Sequence, residues 1–279
     1  MFKSFLGPQM KSIDLIKSGL EIGLYKLKDK IHGSSASVST HAKSIVKQIK
    51  EHGLVEIPSF FSLEEIASIR RELDRVLTDY KDRLWVDPEG ADNRALGINN
   101  VSATINKLFY YNELIQAVRY EYYQLTDEHI IGHTLGARIS AAKNNKGSGG
   151  GWHRDSVNIR QLKAICYLTD VAEENGPFQY LLGTQNKYSV IEGILKHNFK
   201  HNHNRFTESE IETILADSKY TLKTCTGKAG SLLLVDTSGI HRGMPLKEGV
   251  REALTNYYWV AKEKGGTGVP AIFDDLIIN

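Results

Sequence analysis

Gly147-Ser148-Gly149-Gly150-Gly151-Trp152-His153-Arg154-Asp155 is the stretch on which the reading of this chain turns. It acquires meaning together with Ser231-Leu232-Leu233-Leu234-Val235-Asp236 and, at a Gly-marked turn just after it, Ser238-Gly239-Ile240-His241. Successive side chains alternate faces in extended backbone, so His153 and Asp155 point the same way, about one pleat apart. The apolar run 231–236 reads as a buried strand, and it would deliver His241 from a remote part of the chain. Two imidazoles and a carboxylate on one side of an ion leave the opposite positions open, the donor set of non-haem Fe(II) centres. Alone, His-x-Asp is weak, because with 10 His in the chain a surface hydrogen-bonded pair explains it as well. The glycine run shifts the balance, since it brings a sterically open backbone up to the pair.

Outward from this stretch, the pattern from His133 onward is that of β structure, with strands expected near residues 134–142, 152–158, 161–169, 178–182, 220–224, 231–236 and 251–261. Short strands with Gly-marked turns predict a mainly β fold with helical additions, a double-sheet jelly roll (a cupin-like double-stranded β-helix) backed by helices. Upstream, a helix over 40–52 leads into a short strand at 54–57. Ser62-Leu63-Glu64-Glu65 is a capping box that starts a helix running to about Tyr80. Helical periodicity returns over 105–125. Residues 87–100 are rich in turn formers and read as a solvated loop or a lid with Arg94 turned inward. Residues 186–219 form an insert, closed by a helix over 208–215 capped at Thr207. His197, His201 and His203 stand there among Lys196, Lys200 and Arg205, a basic stretch that lacks a fourth ligand for a second metal site and reads as a solvated insert or as a lid that attracts an anionic substrate.

At these residues the chain resembles the phytanoyl-CoA dioxygenase family of Fe(II)/2-oxoglutarate oxygenases. The resemblance runs from about Gly132 to Val260, with a fainter echo at 53–61. It is carried by His153 and Asp155, Asn175-Gly176-Pro177, Leu182-Gly183-Thr184-Gln185, His241 and Arg251. It implies that His153, Asp155 and His241 bind Fe(II) and that Arg251 pairs with the distal carboxylate of 2-oxoglutarate, for which a planar, permanently charged fork is suited. The chain departs from the family at Leu182-Gly183-Thr184-Gln185, where Pro-Gly-Ser-His is usual, and at Gly243, where many members carry Ser. Halogenases of the superfamily replace the carboxylate with Gly or Ala, so Asp155 implies hydroxylation or a related oxidation.

Alternation refines the pocket. If Arg251 faces inward, so do Ala253, Thr255, Tyr257 and Trp259, and Lys163, Ile165 and Tyr167 share one face of their strand. Lys163, Tyr167 and Thr255 are therefore expected beside Arg251 at the co-substrate; a Lys facing inward needs an anion, since an unpaired buried charge is costly. The opposite reading, with Lys163 toward solvent, stands equally open. Arg94, Trp152 and Arg154 are the candidates for substrate contact. Two other readings remain: a cupin-like isomerase or hydrolase that does not use 2-oxoglutarate, against which Arg251 counts, and a non-catalytic binding protein on the same scaffold.

Composition fits one enzyme domain over 36–279. The 279 residues carry a net charge of +2, and no zinc finger or RNA-binding aromatic motif is present, so the expected partners are a small-molecule substrate and O2, not nucleic acid. Two cysteines, Cys166 and Cys225, point to a reducing compartment, hence the cytoplasm. Residues 1–35 differ: Phe2, Phe5, Leu6, Met10, Ile13, Ile16, Leu20, Leu24, Leu27 and Ile31 recur at helical spacing among six Lys. They are expected to form an amphipathic helix packed on the domain or in a homo-oligomer, or else one resting on an anionic membrane.

Overall fold

Ser39 opens the first helix by accepting from Ala42 N, and α1 (Thr40–His52) buries Ala42, Ile45, Val46 and Ile49 along one face. The computed structural model describes residues 38–143, 147–157, 160–217, 219–260 and 276–278; the segment 1–35 lies outside them. Gly53 ends α1 in the left-handed region (φ 91°) and turns the chain into β1 (Leu54–Ile57). The expected capping box is present: Ser62 accepts from Glu65 N and the Glu65 carboxylate accepts from Ser62 N, starting α2 (Leu63–Asp79). Strands β2 (Trp85–Val86) and β3 (Asp92–Leu96), helix α3 (Glu113–Tyr123), and strands β4 (Ile130–Ser140), β5 (Leu162–Tyr167) and β6 (Phe178–Leu182) follow. Helices α4 (Lys187–His197) and α5 (Glu208–Ala216) fill the insert. Strands β7 (Thr221–Cys225), β8 (Leu232–Asp236), β9 (His241–Gly243) and β10 (Val250–Val260) complete the described elements.

Two antiparallel sheets result, a seven-stranded one ordered β1-β8-β5-β10-β4-β3-β2 and a three-stranded one ordered β7-β6-β9. They form a jelly-roll core. Helices α1, α2 and α3 pack on the outer face of the large sheet through Ile49, Ile69, Leu73, Ile115, Leu234 and Leu254. Between the sheets lie Ile165, Tyr167, Phe178, Tyr180, Leu233 and Val235. Cys166 and Cys225 are both free and buried. Among the described residues, no helix is long and apolar enough to cross a membrane.

Four expectations about the elements are corrected. Residues 152–157 are not a strand; His153 makes only isolated bridges, to His241 and to Arg205. The backbone is split among three partners: His153 N donates to His241 O, Arg154 N to Asn204 O and Asp155 N to Thr237 O. Residues 87–100 are not simply a loop, because β3 pairs along β4 from Asp92 opposite Ile139 to Leu96 opposite Leu135. The helix expected over 105–125 is broken: a π turn at Asn106–Tyr110 precedes α3, which Asn112 caps by accepting from Leu114 N and Ile115 N. In the insert, α5 was legible, but α4, capped by Asn186, was not.

One contact ties the sheets to α1. The buried Tyr180 hydroxyl donates to Asp236 O at 2.8 Å. A Cβ added at either Gly53 or Gly239 would collide with the Tyr180 ring or hydroxyl. Gly53→Ala therefore combines overpacking with a left-handed φ, and should lower unfolding free energy by about 2–4 kcal/mol. Urea melts give the number, and a loss under about 0.5 kcal/mol, the scale of a neutral surface change, would contradict this packing.

Candidate functional site

His153, Asp155 and His241 converge although they come from a loop and a remote three-residue strand, with one ligand atom of each within 4.8 Å of the others. His153 Nε2 stands 3.5 Å from Asp155 Oδ1 and His241 Nε2 3.9 Å from Asp155 Oδ2. The two imidazole rings lie 4.3 Å apart between centroids. Each turns its other nitrogen onto a carbonyl two residues back: His153 Nδ1 is 2.8 Å from Gly151 O, and His241 Nδ1 is 2.9 Å from Gly239 O. Donation from Nδ1 leaves both Nε2 lone pairs facing Asp155, which is how an outer partner fixes the tautomer of a metal-ligating His. Burial and the neighbouring His153 pull the His241 pKa down to about 3, so its imidazole is neutral.

Close approach explains the glycines. A Cβ at Gly149, whose φ is +85°, would run into the His153 ring, and one at Gly147 would meet Gly243 O. Phe178 walls the far side of His241 at 5.4 Å.

Lys163 faces inward, which decides the alternative left open by alternation. Its Nζ stands 2.5 Å from Asp155 Oδ2 and 4.0 Å from the Tyr257 ring centroid. Burial opposes ionisation of Asp155, but the Lys163 ammonium and the two imidazoles override it and hold the carboxyl well below the usual carboxylate range. Lys163 is the one protein group that engages Asp155 Oδ2 among the described residues. A buried carboxylate beside two imidazole Nε2 atoms turned toward it is a donor set that fits a divalent transition metal. Among the described residues, this is the one cluster of three such ligands. His203 of the insert instead pairs with Glu210 at 3.2 Å and stacks on Phe199.

The triad opens into a cavity of about 580 Å³ between the sheets, lined on one wall by Arg251, Ala253, Thr255, Tyr257 and Trp259 of β10. Arg251 is buried, and among the described residues no hydrogen bond or ion pair holds its guanidinium; burial pulls its pKa below the ordinary arginine value. Arg94 lies nearby on β3, forked onto Asp92 (Nε to Oδ1 2.9 Å, Nη2 to Oδ2 2.5 Å) and donating to Ser148 Oγ at 2.9 Å. A Cβ at Gly243 would lie 2.6 Å from Ser148 Cβ and 3.1 Å from Arg251 Nη2. Ser148 of the glycine loop thus occupies the space that a side chain at 243 would take.

Residues 49–249 match the family model described as phytanoyl-CoA dioxygenase (PhyH). The chain belongs to the phytanoyl-CoA dioxygenase family. No curated protein matches the chain by sequence. Several solved structures share the fold of this family member. The epimerase SnoN in complex with Fe3+, alpha ketoglutarate and nogalamycin RO aligns with TM-score 0.57 at 16% identity, over 78% of this chain and 83% of its own. HygX from Streptomyces hygroscopicus with nickel, 2-oxoglutarate and hygromycin B aligns with TM-score 0.52 at 20% identity, over 77% and 86%. EctD from S. alaskensis with bound Fe aligns with TM-score 0.59 at 15% identity, over 82% and 81%.

Not every expected residue reaches the cavity of this phytanoyl-CoA dioxygenase family chain in a usable form. Trp152 is buried with Phe206, Ile211 and Ile240, and its Nε1 donates to Glu208 at 3.2 Å, so it anchors the insert and is not among the residues that line the cavity. Arg154 is held by Thr184 O at 2.8 Å, Ser238 O at 3.2 Å and Ser189 Oγ at 3.1 Å. Burial lowers its pKa to about 10, which still leaves it charged at neutral pH. Alternation is the reason: with 153 and 155 inward, 152 and 154 must point the other way. Tyr167 lines the cavity, but its hydroxyl donates to Cys225 O and accepts from Phe178 N, tying the sheets together. Thr255 lines the same wall. Ser148, Asp92 and the two carbonyl partners of the histidines were missed. A repeated Gly-x-His at 151–153 and 239–241 was the available signal for those carbonyls.

Proposed function

We propose that the chain is an Fe(II)- and 2-oxoglutarate-dependent dioxygenase that hydroxylates a small polar metabolite. The observation that carries this reading is the convergence of His153, Asp155 and His241 with both Nε2 lone pairs aimed at Asp155. Family membership and the Fe and 2-oxoglutarate held by the solved structures of similar fold support the same pair of cofactors.

When bound, iron with 2-oxoglutarate supplies the oxidant from O2, with release of succinate and carbon dioxide. The chain's own residues do the rest. His241 presents a neutral nitrogen that need lose no proton to bind metal, and His153 turns its Nε2 to the same point. Asp155 supplies the negative charge, and Lys163 holds its second oxygen, limiting how that carboxylate turns. Arg251 offers its fork to the distal carboxylate of the co-substrate at the deep end of β10, with Ser148 and Arg94 beside it. The apolar wall of Leu135, Ala137 and Ile139 keeps that end dry, which strengthens the ion pair.

Anaerobic addition of Fe(II) and 2-oxoglutarate should produce a weak visible charge-transfer band, and metabolites screened for substrate-dependent succinate release should reveal a hydroxylated product. Turnover that proceeds equally well without any 2-oxo acid would refute the reading in favour of a cupin-like metal enzyme.

Lys163 yields a separate prediction. Lys163→Met leaves Asp155 buried without its cation, so the metal-free protein should lose about 3–5 kcal/mol of stability. A divalent metal restores the missing positive charge, so its stabilising effect on melting should be larger in the variant than in the parent. Equal metal-induced shifts would separate Lys163 from Asp155.

A further inference from the structure

We infer that the substrate is an anion with a flat, unsaturated body, its charge read by Arg160 and Arg205 at the cavity rim. The inference rests on the proposed dioxygenase reading and concerns the end of the cavity away from Arg251.

The charge balance of the lining motivates it. Among the described lining residues, Arg94, Arg160, Lys163, Arg205 and Arg251 stand against one acid, Asp155. Asp92 neutralises Arg94 and Asp155 neutralises Lys163. Fe(II) and the dianion of 2-oxoglutarate cancel one another. With Arg154 turned away onto Thr184, Ser189 and Ser238, Arg160, Arg205 and Arg251 are left over, so the loaded cavity keeps a positive potential that concentrates anions and disfavours cations. Asp236, the acid within electrostatic reach of Arg160, is buried and engaged by Tyr122 Oη at 2.6 Å and Ser238 Oγ at 2.5 Å. Burial keeps its pKa raised, which weakens it further as a counter-charge.

Position separates the two ends. Arg251 pairs with Ile139 at one end of β10, whereas Lys163 lies opposite Tyr257 toward the other. Six residues of strand span about 20 Å. Arg160 precedes β5 at the Tyr257 end, is exposed, and has no hydrogen bond or ion pair among the described residues. Arg205 is also exposed; it donates to Gly149 O, and its backbone bridges His153. Both rim arginines are tied to the triad: Arg205 through that bridge, and Arg160 through its neighbour Gln161, whose carbonyl accepts from Thr237 N while Thr237 O accepts from Asp155 N. The wall between rim and metal is aromatic, with Tyr257 and Trp259 stacked at 5.5 Å and 14°. A planar group laid on those rings, with its carboxylate, sulfonate or phosphate at the rim, would lie beside the metal.

Isothermal titration of the anaerobic protein saturated with Fe(II) and 2-oxoglutarate tests this with a matched pair of probes, indole-3-acetate and the uncharged indole-3-acetamide. Saturating 2-oxoglutarate keeps the acid from Arg251. The acid should bind about tenfold more tightly than the amide, with the margin shrinking as salt is raised. Arg160→Glu and Arg205→Glu should each remove most of that margin, and Arg160→Lys should keep much of it. Equal affinities, no binding by either probe, or a margin that survives both reversals would overturn the inference. A parent protein that shows no charge-transfer band with Fe(II) and 2-oxoglutarate would instead refute the dioxygenase reading itself.

Discussion

His241→Ala should abolish the visible band formed with Fe(II) and 2-oxoglutarate, and His153→Ala should do the same. Each imidazole is one of three donors, oriented by a backbone carbonyl and aimed at the same point. Losing an outer-shell partner of a metal ligand typically costs about 10–100-fold in affinity, and losing the ligand itself should exceed that. The substitutions should leave the fold intact, because His241 is already held in the small sheet by backbone pairing to Tyr180. Circular dichroism like the parent's, together with no band and no iron in a dialysed sample, is the expected combination. A band of parental intensity in either variant would remove that histidine from the centre.

The second large effect belongs to Arg251. Truncating one partner of a buried charge pair costs about 2–5 kcal/mol, roughly 30- to several-thousandfold in affinity. Arg251→Ala should therefore weaken 2-oxoglutarate binding by that amount while leaving iron binding nearly unchanged. Arg251→Lys should recover only part, since the two-pronged geometry is gone. Unchanged 2-oxoglutarate affinity in Arg251→Ala would move the co-substrate elsewhere in the cavity.

The metal centre was legible because period-two alternation holds even where the strand does not. His153 and Asp155 share a direction although residues 152–157 form no ladder, and the same rule placed Trp152 and Arg154 on the opposite side. Arg251 and Thr255 follow the same logic, whereas alternation left Lys163 open between pocket and solvent: which anion an inward lysine meets depends on a segment that arrives from elsewhere in the chain. Arg94 was expected on a solvated loop or a lid and sits on β3, because a strand whose pairing partner is distant leaves little local signal among turn formers. Caps behaved differently. Ser62 and Thr207 announced α2 and α5 through a Glu three residues on, whereas Asn112 and Asn186 cap without that companion and passed unnoticed.

Tyr180 gives the architecture a mechanical property. Its ring is gripped by the turn that ends α1 and by the turn that delivers His241, and it lies nearly parallel to the His241 imidazole at 6.5 Å. Opening one turn removes a wall from the other. Metal occupancy and closure of the α1 turn are therefore linked equilibria, each raising the free energy needed to disrupt the other. A disturbance at the end of α1 thus has a route to His241 through Tyr180, beside the backbone bonds that join Gly53 to Asp236 and His52 to Gly183.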